Sequence, residues 1–302
     1  MKPVPSSLAD LLAGKPVPVE DYEGTDLRAW AEGPSSPLFL QDAARETALV
    51  ALLTELAPDL LEANLHPLVK GGASLWGREY LLCGSRRVHD LDIWIPPSEE
   101  EAFTRILKSH GFGCHPRYAA MWTRGFLEID LHTHPINSAR ARCFDQLFAF
   151  DAQATWMRAE PLPCCPLSPW RRPAPEDLWI HQALHAVKHE FERINLALDL
   201  HFLLQHHIPQ TSLGQTLWTA VTPALEKLGL DSRLSPKPPS PLSRDLCLER
   251  PARPFLAGLR LLASMGRHPW RFWACLALGS SSTRLEAGGL GARILRILPR
   301  IR

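Results

Sequence analysis

The stretch Arg86-Arg87-Val88-His89-Asp90-Leu91-Asp92-Ile93-Trp94-Ile95 decides the fold of the first half of the chain. Side chains of a strand alternate between two faces, so Leu91, Ile93 and Ile95 fall on one side and Asp90, Asp92 and Trp94 on the other. The pattern predicts a strand over Val88–Ile95 that is anchored by its apolar face and projects two carboxylates from the opposite one. Pro96-Pro97 stops it. Ser98 with Glu101 reads as a capping box for a helix running to about His110, and Gly111 is the residue expected to end that helix.

A second segment repeats the pattern. In Phe126–Thr133, Leu127, Ile129 and Leu131 alternate with Glu128, Asp130 and His132. If the two strands are neighbours, Asp90, Asp92 and Asp130 converge. Two carboxylates about 5 Å apart repel by roughly 3 kcal/mol at an effective dielectric of 20, and a third adds to the cost. Proton sharing or a bound cation relieves it, and a site of oxygen ligands selects Mg²⁺ or Mn²⁺ over zinc. The competing reading is that Asp-x-Asp on an amphipathic strand is a solvated face. The two predict opposite signs: for a metal site, removing one carboxylate leaves the metal-free protein equally or more stable, whereas removing a structural aspartate costs stability.

Gln41–Leu61 carries apolar residues at helical spacing (Ala44, Leu49, Leu52, Leu53, Leu56, Leu60) with no breaker before Pro58. His66–Val69 is a short extended run ending in Lys70-Gly71-Gly72, and Ala73–Trp76 is read as opening a helix. Residues 1–40, rich in Pro, Gly, Ser and Asp, form an arm with one short helix at Leu8–Leu12. Residues 136–175 form a connector with a helical stretch at Ala139–Phe150 and a Pro/Cys/Trp-rich loop in which the Cys164-Cys165 pair is loop rather than ligand. Glu176–His207 reads as one or two long helices, and helices divided by Pro and Gly follow Thr211. The expectation is an α+β domain at 41–135, a mixed sheet with flanking helices, followed by an α-helical domain at 176–302.

Composition agrees with a globular protein. The 302 residues are 45% hydrophobic and 22% charged, which excludes a mainly disordered chain. No run of roughly 20 predominantly apolar residues, as a membrane span needs, is present; the longest stretch without Asp, Glu, Lys or Arg, residues 200–225, is interrupted by His, Gln, Ser, Thr and Pro. The start MKPVPSSLADLLAGKP does not read as a secretory signal, and seven cysteines at irregular spacing indicate neither a disulfide framework nor a zinc knuckle, so a cytoplasmic location is expected. Residues 251–302 hold nine arginines and one acid, Glu286, against a balance of −7 in the first 250. Gly289–Arg302 is read as a basic amphipathic end that contacts an anionic partner or membrane surface, with a helix docked on its own domain as the alternative.

The ensemble resembles the nucleotidyltransferase superfamily built on the DNA polymerase beta-like palm, and more narrowly the bacterial uncharacterised nucleotidyltransferase family. Its motifs are Lys70-Gly71-Gly72-Ala73, then Arg86 ahead of Asp90-Leu91-Asp92-Ile93, Gly111-Phe112, and Ile129-Asp130-Leu131-His132. In the helical half stand Pro175-Glu176-Asp177, His185, His189 and Asp199-Leu200. The resemblance covers residues 44–205. One departure stands out: Gly84-Ser85 begins six residues ahead of Asp90 and Gly72 lies eighteen ahead, whereas the superfamily places its glycine turn between those distances. The phosphate-side turn is assigned to Lys70–Ser74.

The resemblance implies transfer of a nucleoside monophosphate from a nucleoside triphosphate, such as ATP, to a hydroxyl or phosphate of a small molecule, sugar or peptide, in natural-product or polysaccharide biosynthesis. Asp90, Asp92 and Asp130 would be the catalytic, metal-binding residues, with Asp130 also taking the acceptor proton. Lys70, Gly71, Gly72, Ser74 and Arg86 would bind the phosphates, against surface roles for the two cations. His181, His185 and His189 share a helix face. His185, His189, Lys188 and, from the sheet, His132 would contact nucleotide or acceptor, against packing roles for the helical histidines. Two alternatives remain at this point: a non-catalytic nucleotide-binding or accessory protein, and a nucleotidyltransferase-like toxin that modifies tRNA or protein.

Overall fold

The computed structural model describes residues 11–12, 17–22, 27–81, 83–136, 150–188, 194–227 and 230. The expected helix at Ala139–Phe150 (all but its last residue), His189 and the basic end Gly289–Arg302 lie outside them.

The described helices are α1 (Arg28–Glu32), α2 (Pro37–Glu62), α3 (Glu100–Ser109), α4 (Ala152–Arg158), α5 (Pro175–Lys188), α6 (Ile194–His206) and α7 (Ser212–Lys227). Strands β1 (Leu68–Lys70), β2 (Leu91–Trp94), β3 (Gly113–His115), β4 (Tyr118–Arg124), β5 (Leu127–His132), β6 (Glu160–Pro161) and β7 (Arg171–Arg172) form one sheet in the order β3-β4-β5-β2-β1-β7-β6. It is mixed: β2 runs parallel to β5 and antiparallel to β1, and β1 runs parallel to β7. The α+β fold with a mixed sheet and flanking helices is therefore the one expected.

The helix read at 41–61 begins earlier, at Pro37, because Ser36 caps it by accepting a hydrogen bond from Phe39 N at 3.1 Å and Pro37 occupies the first turn, where its missing N–H costs nothing. Its buried leucines, Leu49, Leu52, Leu53, Leu56 and Leu60, pack on Leu91, Ile93, Ile129 and Leu131 of the sheet, together with Phe103 and Leu107 of α3. Helix α3 ends as the sequence indicates. Gly111, at φ 78°, donates to Lys108 O and Phe112 N to Leu107 O, while Phe112 and Leu107 share the core.

Three expectations are corrected. The Ser98–Glu101 capping box does not form: the chain enters α3 through a 3-10 turn, Pro97–Glu99, so the cap falls on Glu99 and no side chain closes it. Ala73–Trp76 opens no helix; Gly71–Leu75 is a single 3-10 turn. The Pro/Cys/Trp-rich loop supplies β6 and β7 to the sheet. Their two-residue length and the Arg171-Arg172 sequence give no alternation to read. Part of the N-terminal arm is also packed, since Tyr22 and Leu27 are wholly buried against α5, α6 and α7 in the second core. None of the described helices is long and apolar enough to cross a membrane.

Candidate active site

The parallel pairing of β2 with β5 sets Asp92 directly opposite Asp130, and Trp94 opposite His132. Antiparallel pairing of β1 with β2 sets Lys70 opposite Asp92. Residues in register point to the same face, so Lys70, Asp92, Asp130 and His132 stand together, with the apolar core behind them. This is the face that the sequence assigned to Asp90, Asp92 and Trp94. It is not a solvated one. Trp94 is buried against Trp156 of α4, ring centroids 5.1 Å apart, and the three aspartates are each half-buried.

His132 holds the two facing carboxylates. Its Nε2 lies 3.2 Å from Asp92 Oδ1 and 3.1 Å from Asp130 Oδ2. Ligand atoms of Asp92, Asp130 and His132 all fall within 4.8 Å of one another, a spacing that a single cation can bridge. That trio differs from the three-aspartate set read from the sequence: Asp90, just ahead of β2, stands near enough to feel both other charges but is not among the three.

The electrostatics divide the aspartates. Burial, then the charges of Asp92, Asp130 and Glu128, push Asp90 up to about 6. Burial opposes the Asp92 carboxylate too, but the His132 hydrogen bond and the charges of Lys70, His132 and His185 outweigh it and hold Asp92 far below the usual range. Burial and Lys70 oppose the His132 imidazolium, yet its hydrogen bonds to Asp130 and Asp92 raise its pKa. Of Asp90 and Asp92, it is Asp90 that carries the unrelieved repulsion.

The Lys70–Ser74 turn lies against Asp92. Gly71 has φ 65°, and a Cβ there would overlap the Asp92 carboxylate, so glycine is required twice over. A Cβ on Gly72 would come within 3.1 Å of the Arg86 guanidinium. Ser74 is turned inward, its hydroxyl donating to Gly71 O at 2.6 Å. Gln182 Nε2 of α5 donates to the same carbonyl at 2.8 Å, and buried Arg172 of β7 donates to Ser74 O at 3.0 Å while pairing with Glu79 at 2.7 Å. The turn is thus fixed from the helical half and from β7 of the sheet. Neither Gln182 nor Arg172 was found by reading the sequence, which offers no sign that a basic residue at 172 is wholly buried.

Arg86 lies beside the turn but is engaged elsewhere. Its Nε and Nη2 each donate to an Asp199 carboxylate oxygen at 2.8 Å, and Tyr80 Oη donates to Asp199 at 2.9 Å. The acidic residues of Pro175-Glu176-Asp177 are likewise occupied. Glu176 accepts from Thr211 N at 3.0 Å and from His207 at 2.7 Å, and Asp177 binds Arg158 of α4 at 2.8 Å. His185 is half-buried on α5, and its charge reaches Asp92. The side chain of Lys188 is outside the described portion, as is His189.

A mixed sheet carrying acidic residues on two adjacent parallel strands, with a lysine-glycine turn against them, is the frame of the nucleotidyltransferase palm. The chain matches the model of the uncharacterised nucleotidyltransferase family over residues 38–235 and belongs to that family. No curated protein and no solved structure matches it. Membership gives the coarse activity, a transferase role in nucleotidyl transfer, for which a nucleoside triphosphate is the substrate.

Proposed function

We propose that the protein transfers a nucleoside monophosphate from a nucleoside triphosphate to the hydroxyl or phosphate of a small molecule, sugar or peptide, as a biosynthetic enzyme dependent on Mg²⁺ or Mn²⁺. The observation that carries this reading is the register pairing of Asp92 with Asp130 beside the Lys70-Gly71 turn. The carboxylate oxygens of Asp92 and Asp130, with the His132 nitrogen at this spacing, fit a small divalent cation, with Asp90 close enough to contribute. When bound, such a cation supplies charge neutralisation at the α-phosphate and acidifies the attacking hydroxyl.

The chain's own residues do the rest. Lys70 faces the carboxylate pair and offsets phosphate charge, and glycine at 71 lets substrate and backbone approach Asp92 closely. Asp130 accepts the acceptor's proton as its oxygen bonds to the α-phosphorus, and the bond from that phosphorus to pyrophosphate breaks. Helix α5 covers this face and limits water. Arg86, bound to Asp199, serves the reading best by fixing the helical half over the sheet.

Thermal unfolding with each nucleoside triphosphate, with and without Mg²⁺ or Mn²⁺, tests the proposal. At least one nucleotide should stabilise the protein only in the presence of the divalent ion, and Asp92→Asn and Asp130→Asn should abolish the effect. No stabilisation by any nucleotide, or full stabilisation in both variants, would sink it.

A further inference from the structure

His181 of α5 belongs to the histidine stripe but to none of the roles assigned so far. It is 7% exposed, and its Nδ1 is sealed from solvent with no hydrogen-bond partner among the described residues. A buried ring nitrogen left unpaired costs free energy, and native structures rarely tolerate it without a reason. The place is informative. Gln182, the next residue, is bonded to Gly71 O, so this turn of α5 sits on the Lys70-Gly71 turn. The His185 ring follows one helical turn later, with centroids 6.2 Å apart.

We propose that His181 is a substrate-binding residue whose ring nitrogen hydrogen-bonds the polyphosphate chain of the nucleotide, acting with Lys70 and His185 on the anion beside the carboxylates. The inference rests on the nucleotidyl-transfer reading and deepens it. The choice of phosphate over base or acceptor follows from the surroundings: Lys70, His185 and His132 act electrostatically on this ring against the opposing charge of Asp92, and that excess of basic groups suits an anion. Burial, then Lys70 and His185, hold the imidazole well below its usual pKa, so it waits as a neutral ring with one N–H to donate. A neutral donor adds no repulsion to those basic groups before substrate arrives.

Calorimetric titration of the full chain with Mg²⁺–tripolyphosphate, which has neither base nor acceptor, tests this. His181→Phe preserves the ring's bulk and removes its hydrogen bonding. It should keep or raise the melting temperature and weaken tripolyphosphate binding by about tenfold or more, the usual worth of a hydrogen bond to a charged group. His181→Gln, which retains a donor, should lose less, and His181→Leu guards against misfolding of the phenylalanine variant. Either apolar variant binding as tightly as wild type overturns the assignment while leaving nucleotidyl transfer intact. Wild type that binds no tripolyphosphate overturns the assignment as well, and nucleotidyl transfer falls with it only if no nucleotide stabilises the protein either.

Discussion

The three aspartates differ in what surrounds them, and substitutions should separate them. Asp90 is raised from 3.8 to about 6, so its proton is held more tightly in the folded protein than in the unfolded chain. Folding stability is then lost as pH rises from about 4 through about 6. Asp90→Asn should raise metal-free stability above pH 6, by at most about 3 kcal/mol for two pKa units, and change it little below pH 4. Asp92→Asn should do the opposite at neutral pH, because it strips buried Lys70 and His132 of their counter-charge. Urea unfolding in chelator at pH 4 and pH 8 checks both signs. Gly71 offers a second residue-scale test. Gly71→Ala meets both left-handed backbone and the Asp92 carboxylate, so it should cost more than the roughly 1–2 kcal/mol of conformational strain alone and abolish nucleotide-dependent stabilisation. Gly125 has φ 62° but nothing within 4 Å of an added Cβ, so Gly125→Ala should show the strain and keep nucleotide binding.

At the scale of elements, α2, α3 and β4 are tied on the outer side of the sheet. His110, at the end of α3, lies 2.9 Å from Glu55 and 2.6 Å from Asp59 of α2, and Arg124 of β4 binds Glu55 at 2.6 Å. Hydrogen bonds from Arg124 and His110 lower Glu55 to about 2, and hydrogen bonds to Glu55 and Asp59 raise His110. The sign follows for each partner. The Glu55 contribution is present above pH 4.5 and fades as pH falls toward about 2, whereas the His110 contribution is present below pH 6.5 and fades as pH rises through its raised value. Both are exposed enough for solvent to screen them, so the effect is small. The melting-temperature difference between wild type and His110→Gln should be greatest near pH 5.5 and shrink by pH 8.5; a difference that grows with pH would refute the ion-pair account.

Across the whole molecule, the sheet and the helical half are joined where Arg86 meets Asp199. The pair is nearly dry, with side chains 11% and 1% exposed. Truncating either partner strands a buried charge, which typically costs about 3–5 kcal/mol, while an apolar pair of similar volume is often tolerated. Asp199→Ala should therefore destabilise strongly, and Arg86→Met with Asp199→Leu should recover much of the loss, as denaturant melts of the single and double variants would reveal. If the link holds α5 over the carboxylate face, the double variant should also regain nucleotide binding.

Local period and local chemistry were enough to read a strand within Val88–Ile95 and another within Phe126–Thr133, the apolar and acidic face of each, the long helix through Leu49–Leu60, and the glycine stop at Gly111. Each is written within one element, where a repeat of two or of 3.6 residues is enough to read it. The facing of Asp92 and Asp130 is a tertiary outcome, because two acidic strands about forty residues apart are neighbours in a sheet where β3 and β4 lie on one side of β5 and leave its other edge to β2. So are the mutual neutralisation of Arg86 and Asp199, the burial of Arg172 under the Gly71 turn, and the place of His181 near Lys70, its Nδ1 without a hydrogen-bond partner among the described residues. Those outcomes set desolvation against long-range pairing, a balance that depends on which distant segments close onto one another.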